Sequence, residues 1–375
     1  MKKNFIVLLV ALLILSFVGG YFVGYRYPLG VKTSSDHLLL TRTADYLLSN
    51  FYKPLTEEEL IKGMVNSLND PYTVFMNPDE TKALQEEVQG EYAGIGVAIQ
   101  ANENLKYPEI VTVFKGTPAE QAGLKVGDII KEVDGKSTYD LSIDAVSSLV
   151  KGKIGTTVTL KIKRDNQELT IDVTRAKVNI PLTETKYLEN GKIGYLSMYM
   201  FSEGLGSSVE KALNEFKEKG VKGVIVDLRG NPGGLLSECE NVASLFLPSG
   251  VLLYTNDREG NLAPINVNGK KFDLPLVVLV DGGTASASEI FSGAIKYNKV
   301  GKIVGETTYG KGVIQQIYPI KGDYTLKITV EEYLLPDKTS INKKGVTPDI
   351  EVKDDANTEE DEQLNKAIEI LNSEI

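Results

Sequence analysis

The sequence predicts an α+β chain of several domains: a helical N-terminal part, a small β-rich module and an α/β core. Three patterns carry that expectation. Thr56-Glu-Glu-Glu opens a capping box, and Leu60, Ile61, Met64, Val65 and Leu68 follow at helical spacing. Residues 91–176 hold short alternating runs bounded by glycines, the pattern of strands and turns. Gly223–Leu228, apolar but for Asp227, and Leu276–Val280 are runs of the buried-strand type, each ending in a Gly-rich turn that opens a helix.

The bulk numbers bound the answer. The chain has 375 residues, enough for two or three domains, with 42% hydrophobic and 25% charged residues, a globular composition. The formal charge of −10 argues against nucleic acid as a partner, because phosphate binding wants a basic surface. There is one cysteine, Cys239, so an intrachain disulfide and a four-Cys zinc site are excluded. Its place in the first turns of a helix reads as a small core residue. The single histidine, His37, falls in the N-terminal helical region, away from every Gly-rich turn. A hydrolase of this sequence therefore needs Lys or a carboxylate as its base, not histidine.

Residues 1–30 read as a membrane anchor or signal segment. Lys2 and Lys3 precede an almost wholly apolar run from Phe5 to Val18, which continues as Gly, Tyr, Phe and Val to Tyr25. About 20 such residues suffice to span a bilayer. Tyr21, Tyr25 and Tyr27 fall where an interfacial aromatic belt belongs, and no A-x-A cleavage site follows. The favoured expectation is a single-pass anchor in the cell membrane with the rest of the chain extracytoplasmic; a cleaved segment would make the protein secreted.

Residues 31–90 form the expected helical N-terminal domain. Asp36 is placed to cap a first helix carrying Leu39, Leu40, Ala44, Leu47 and Leu48; Asn69-Asp70-Pro71 breaks the second; a third runs from about Asn77-Pro78-Asp79 to Val88. Without a polar constellation, these helices point to packing or to a homodimer contact. The acidic C-terminal helix of residues 354–375, with Leu364, Ala367, Ile368, Ile370 and Leu371 on one side, has the same two readings.

In residues 91–176, Gly94-Ile95-Gly96-Val97 leads into a strand, Ile110–Phe114 is another, and Gly116-Thr-Pro-Ala-Glu-Gln-Ala-Gly123 is a short capped helix stopped by glycine. Asp128–Gly135 is a strand into a turn, Ser142–Val150 a helix, and Val158–Ile162 with Leu169–Val173 a closing hairpin. The Gly-Ile-Gly-Val loop, the Thr-Pro-Ala-Glu-Gln-Ala-Gly-Leu run and Gly127-Asp-Ile-Ile together resemble a PDZ domain. Backbone N–H groups of Ile95, Gly96 and Val97 would form a nest for a terminal carboxylate. The next strand would pair with an incoming peptide, and the neighbouring helix would offer an apolar pocket. The expected partners are proteins with accessible apolar C-termini.

The core of residues 177–353 holds the chemistry. Asp227-Leu-Arg-Gly-Asn-Pro-Gly-Gly234 follows one strand and Asp281-Gly-Gly-Thr284 the next, so two helix N-termini meet at one sheet edge, where α/β sites lie. Neither turn fits a nucleotide-binding Gly motif. Acyl transfer fits better. Ser286 begins a helix after a tight turn, and a serine is a poor nucleophile until a base takes its proton. Lys311, between two glycines, can be that base if desolvation lowers its pKa. Gln315 can hold the amine, and the N–H groups of Gly234 and Ala287, near helix starts, are candidates for an oxyanion hole. Ser288 is the rival nucleophile. Asp227 and Arg229 read as a structural ion pair.

Thr284-Ala-Ser-Ala-Ser-Glu-Ile290, Thr308-Tyr-Gly-Lys-Gly-Val-Ile-Gln315, the Asp227–Gly234 block and Gly345-Val-Thr-Pro-Asp349 occur in order. Together they resemble the carboxyl-terminal processing peptidases, PDZ-containing serine peptidases of family S41, over roughly residues 35–350. The resemblance implies a crotonase/ClpP-like α/β peptidase core with an inserted PDZ domain. It makes Ser286 the nucleophile, Lys311 the general base, Gln315 the orienting group, and Gly234 and Ala287 the oxyanion donors, with neither metal nor cofactor. The expected protein is a serine endopeptidase that binds substrate tails and cleaves near the C-terminus. The other reading is an idle, membrane-tethered PDZ scaffold.

Overall fold

The structure, a computed structural model, describes residues 37–88, 91–102, 105–141, 143–165, 167–179, 181–354 and 360–375. The expected anchor of residues 1–30 and the Asp36 cap lie outside the described residues. Among the described residues no helix is long and apolar enough to cross a membrane.

In chain order the first elements are α1 (Leu38–Asn50), α2 (Glu57–Asn66), β1 (Val74–Met76) and α3 (Pro78–Val88). Next come β2 (Glu91–Gly94), β3 (Val97–Asn102), β4 (Tyr107–Val113), α4 (Pro118–Gln121), β5 (Ile129–Val133), β6 (Lys136–Ser137), α5 (Ile143–Val150), β7 (Thr157–Arg164), β8 (Gln167–Thr174) and β9 (Ala176–Asn179). The core opens with β10 (Thr183–Leu188), β11 (Ile193–Met198), α6 (Leu205–Glu218), β12 (Gly223–Asp227), α7 (Leu236–Phe246), β13 (Gly250–Asn256) and β14 (Leu262–Val267). It closes with β15 (Leu276–Val280), α8 (Ala287–Tyr297), β16 (Lys302–Gly305), β17 (Val313–Lys321), β18 (Tyr324–Leu334), β19 (Ile350–Glu351) and α9 (Glu362–Glu374).

The chain forms two compact units. One comprises residues 1–82 with 315–329. In it, the Thr56 hydroxyl accepts the Glu59 N–H at 3.2 Å while the Glu59 carboxylate takes the Thr56 N–H at 2.8 Å, the capping box read from the sequence. β1 pairs antiparallel with β18, and Phe75 stacks on Tyr324. Helix α1, whose N-cap is the exposed His37, buries none of its residues; Leu39 is 82% exposed.

The other unit comprises residues 83–314 and 330–375. Its main sheet runs β10-β11-β12-β15-β16-β19, parallel except for the antiparallel edge strand β10. Strand β12 shows why its run up to Val226 is apolar. Val224 and Val226 face one core, with Phe216, Phe246 and Phe291 of α6, α7 and α8. Ile225 faces the other, with Ala367 and Leu371 of α9. Alternate side chains leave opposite faces of a strand, so a strand covered on both sides is apolar at successive positions; Asp227 at its end is buried as well, but paired with Arg229. Each buried Phe contributes about 1.5–3 kcal/mol. Helix α9 therefore packs on its own sheet, as one of the two readings of the C-terminal segment expects.

The β-rich module has a sheet in the order β3-β4-β5-β7-β8 around its own core of Ile110, Ile130, Val146, Leu160 and Ile162. The expected hairpin is β7–β8, paired from Thr157↔Thr174 to Arg164↔Gln167. The module enters and leaves through one antiparallel ribbon, β2 with β9 (Glu91↔Asn179 to Gly94↔Ala176).

Candidate active site and peptide groove

Two Gly-rich turns are stitched together at the carboxyl ends of β12 and β15. Asp281 Oδ1 accepts the N–H groups of Gly230 and Gly283 at 2.9 and 3.0 Å. Buried Thr284 donates its hydroxyl to Leu228 O at 2.9 Å. Asn231 donates its amide to Met198 O at 2.7 Å, accepts the Gly233 N–H at 2.9 Å, and takes the Ala285 N–H on its backbone oxygen at 3.0 Å. The 230–234 turn thus lies against the 281–286 turn. Gly233 has to be glycine: a Cβ there would meet Ser286 Cβ and Ala287 N, each at 2.8 Å. Gly234 pairs with Phe201 in an isolated parallel bridge, and a Cβ at 234 would lie 2.4 Å from Phe201 O.

Ser286 is half-buried, immediately before α8, with φ +54° and ψ −116°. A non-glycine residue in that region is strained, and strain of this kind persists only where the surroundings over-determine it. The restraint is Glu289, 0% exposed. Its Oε2 accepts the N–H of Ser286 at 2.8 Å and of Lys311 at 2.9 Å. Its Oε1 accepts the Thr308 hydroxyl at 2.5 Å and the Gly310 N–H at 2.7 Å. One buried carboxylate oxygen thus joins the backbones of the two residues singled out as nucleophile and base. Lys311 is half-buried. Gly310 (φ +89°) gives the loop its turn, where a Cβ would be 2.8 Å from Lys344 N.

The rival Ser288 is placed otherwise. It is 0% exposed, and its hydroxyl donates to Asn231 O at 3.1 Å, so it is spent on holding the turn. Cys239 is fully buried beneath Ala287, its Sγ 3.4 Å from Ala287 O, and burial pushes the thiol well up. It is the core residue that the sequence suggests. Gln315, on β17, donates its amide to Thr329 Oγ1 at 3.3 Å.

In the β-rich module, Ile95, Gly96 and Val97 line an open pocket of about 80 Å³ together with Ser147 and Val150 of α5 and Val178 of β9. The Ile95 side chain is turned into the core. Gly96 has φ +88°, and a Cβ there would be 2.4 Å from Thr117 Cβ. The Thr117 hydroxyl donates to Phe114 O at 2.6 Å and its N-cap position opens α4, which explains the Gly-x-Pro run from below. Arg175 closes the other end of α5, donating to Val150 O at 2.7 Å and Leu149 O at 3.2 Å.

Comparison with known proteins fits both halves. Residues 192–352 match peptidase family S41 and residues 93–174 match a PDZ domain. A solved structure of a photosystem II D1 C-terminal processing protease superposes with a TM-score of 0.64 at 31% identity, over 87% of this chain and 90% of that one. The chain belongs to peptidase family S41. Two curated relatives are a "Probable CtpA-like serine protease" of Staphylococcus haemolyticus (strain JCSC1435), 36% identical over 79% of this chain, and one of Staphylococcus aureus (strain bovine RF122 / ET3-1), 34% identical over 82%. The chain spans 60% and 62% of the length of those two relatives.

Within this S41 chain the structure also gives residues that sequence reasoning missed. Glu289 lay inside the quoted Thr-Ala-Ser-Ala-Ser-Glu-Ile motif without a role; a carboxylate three residues after a helix N-cap is the signal that could have found it. Asp227 and Arg229 do form the expected ion pair, 2.7 Å apart, but as part of a larger network. Tyr195 donates its hydroxyl to Asp227 at 2.6 Å, and Arg229 reaches Asp361 at the start of α9 with two bonds of 2.8 and 2.9 Å. Burial and the Asp227 charge together push the Tyr195 phenol far up, so it stays a donor.

Proposed function

We propose that this S41 chain is a serine endopeptidase in which Ser286 is the nucleophile and Lys311 the general base. The observation that carries the reading is the single Glu289 oxygen accepting both the Ser286 and the Lys311 N–H. It ties the strained turn bearing the hydroxyl to the loop bearing the amine. Ser286 Oγ attacks the scissile carbonyl carbon while its proton passes to the neutral Lys311 amine. The resulting oxyanion accepts the N–H groups of Gly234 and Ala287. The C–N bond then breaks, and Lys311 returns the proton to the leaving amine. Water, deprotonated by the same amine, attacks the ester carbonyl; the bond from Ser286 Oγ to the acyl carbon breaks, and Lys311 returns the proton to Ser286 Oγ. By the sequence motif Gln315 orients the Lys311 amine. A lysine does this work only when desolvation brings its pKa toward neutrality.

The PDZ domain is assigned to hold substrate tails. A terminal carboxylate would take the N–H groups at Ile95, Gly96 and Val97, and the pocket of about 80 Å³ suits a small apolar terminal side chain. The edge-to-face contact of Phe114 with Tyr199, ring centres 5.3 Å apart, is a physical link from the module to the core, which supports gating by tail binding. From the Lys-led apolar N-terminus we place the chain at the cell membrane with the catalytic part outside the cytoplasm. The unburied apolar residues of α1 support a homodimer.

The test is direct. The purified chain is incubated with a protein ending in apolar residues, and the products are weighed. Ser286→Ala and Lys311→Ala each abolish cleavage while leaving tail binding intact; Ser288→Ala keeps it. Full activity in Lys311→Ala would remove Lys311 as the base; peptide binding by the parent without turnover would leave only a tail-binding scaffold.

A further inference from the structure

We propose that Tyr333 is a positioning residue for the reaction, strapping the loop of Lys311 to the turn of Ser286; the inference rests on the dyad proposed above. Tyr333 lies on β18, is 1% exposed, and packs its ring in the main core with the helices that carry the site. Its hydroxyl is 2.5 Å from Lys311 O and 3.2 Å from Ser286 O. Its own N–H donates to Gly312 O at 3.0 Å, and its strand is fixed by the Thr255↔Tyr333 pairing with β13.

The geometry complements Glu289. That carboxylate accepts the N–H groups of Ser286 and Lys311; the phenol offers its proton to the carbonyl oxygens of the same two residues. A phenol has one proton, so Lys311 O is the near acceptor and Ser286 O the shared one. Ser286 O already receives the Glu289 and Ile290 N–H groups at 2.9 and 3.0 Å as the first turn of α8. The Lys311 segment, between Gly310 and Gly312, has no helix or strand of its own to fix it. A rigid aromatic side chain anchored in the core supplies that reference point. The distance between amine and hydroxyl is thereby set by Tyr333 as well as by Glu289, and small displacements of a reacting pair cost rate steeply.

Tyr333→Phe removes the hydroxyl and keeps the ring. The expected loss is about tenfold in kcat and in the rate of Ser286 acylation by a fluorophosphonate, the scale of one net hydrogen bond. KM for a tail-bearing substrate stays within about twofold, because the groove is elsewhere. Rates are taken per titrated active site, so partial unfolding does not enter. The pH midpoint of the acid limb of acylation moves upward, because a Lys311 segment released from its strap is better solvated and holds its proton to higher pH. A purely structural role for Tyr333 would lower the melting temperature and leave that midpoint in place.

Should Tyr333→Phe fail to fold, 3,5-difluorotyrosine at 333 keeps the shape and makes the hydroxyl more acidic. Activity then matches the parent at low pH and falls at alkaline pH as the donor is lost; a profile equal to the parent's throughout overturns the proposal. So does a Tyr333→Phe chain that acylates at the parental rate with the parental pH midpoint. A parent whose label maps to a residue other than Ser286 overturns the dyad itself, and the role of Tyr333 with it.

Discussion

Replacing Glu289 by glutamine changes one atom and should cost both stability and rate. The carboxylate is fully buried and takes four donors: the N–H groups of Ser286, Gly310 and Lys311 and the Thr308 hydroxyl. Hydrogen bonds to a charged group contribute about 1.5–3 kcal/mol each, roughly twice neutral ones. A glutamine keeps one acceptor oxygen and turns the other position into a donor. If its NH₂ faces Ser286 and Lys311, two backbone N–H groups lose their acceptor. If it faces Thr308, that hydroxyl can rotate to accept, as it already does from the Val346 N–H at 2.7 Å, but the Gly310 N–H is orphaned. The second arrangement costs less. It leaves one buried donor unmet, at about 1–3 kcal/mol, and weakens the remaining bonds. We expect a loss near 3 kcal/mol, which for a domain of this size lowers Tm by roughly 6–12 °C. Ser286, no longer held at φ +54°, relaxes, and fluorophosphonate labelling slows about a hundredfold per folded molecule. Differential scanning calorimetry and timed labelling measure the two effects. A Glu289→Gln chain that melts within about 1 °C of the parent and labels at its rate would refute the reasoning.

Two further outcomes follow from other parts of the molecule. Gly96→Val places a Cβ where Thr117 Cβ is 2.4 Å away and demands φ +88° of a β-branched residue, so tail-peptide affinity measured by calorimetry should fall at least tenfold while Ser286 labelling persists; unchanged affinity would remove the loop from the groove. Burial pushes the Asp361 carboxyl up, but hydrogen bonds and charge from Arg229 outweigh this and hold it below its ordinary 3.8. A carboxyl depressed in the fold stabilises above its unfolded value and loses that contribution as pH falls through the folded one. The Tm gap between the parent and Asp361→Asn should therefore be full at pH 7 and close as the pH drops below 3.8; a gap independent of pH would mean that the Arg229 contact contributes nothing.

Much of this was legible in one dimension because local chemistry wrote it. The Thr56 capping box, the apolar runs of β12 and β15 and the β7–β8 hairpin follow from hydrogen-bond and burial patterns within a few residues. Strands β13, β14 and β17 find no place among those local patterns. Strand β13 owes its form to a distant partner, pairing with β18 at Tyr254↔Leu334, whereas β17 pairs with the next strand, β18, across the two residues Gly322 and Asp323. A pairing at long sequence separation, such as that of β13 with β18, leaves little local trace.

The choice between Ser286 and Ser288 shows the division most clearly. The motif spelled out both hydroxyls, two positions apart in one small-residue helix start, and spelled out the lysine and the glycine turns. Sequence alone therefore determined the family of chemistry, the candidate side chains and the peptide-binding module. Folding decided which hydroxyl is spent on Asn231 and which is left half-buried at a strained turn, and it brought Glu289 and Tyr333 to both backbones at once. The physical reason is that a motif specifies residue types, whereas burial and hydrogen-bond partnership depend on distant segments that only the packed sheet and helices assemble.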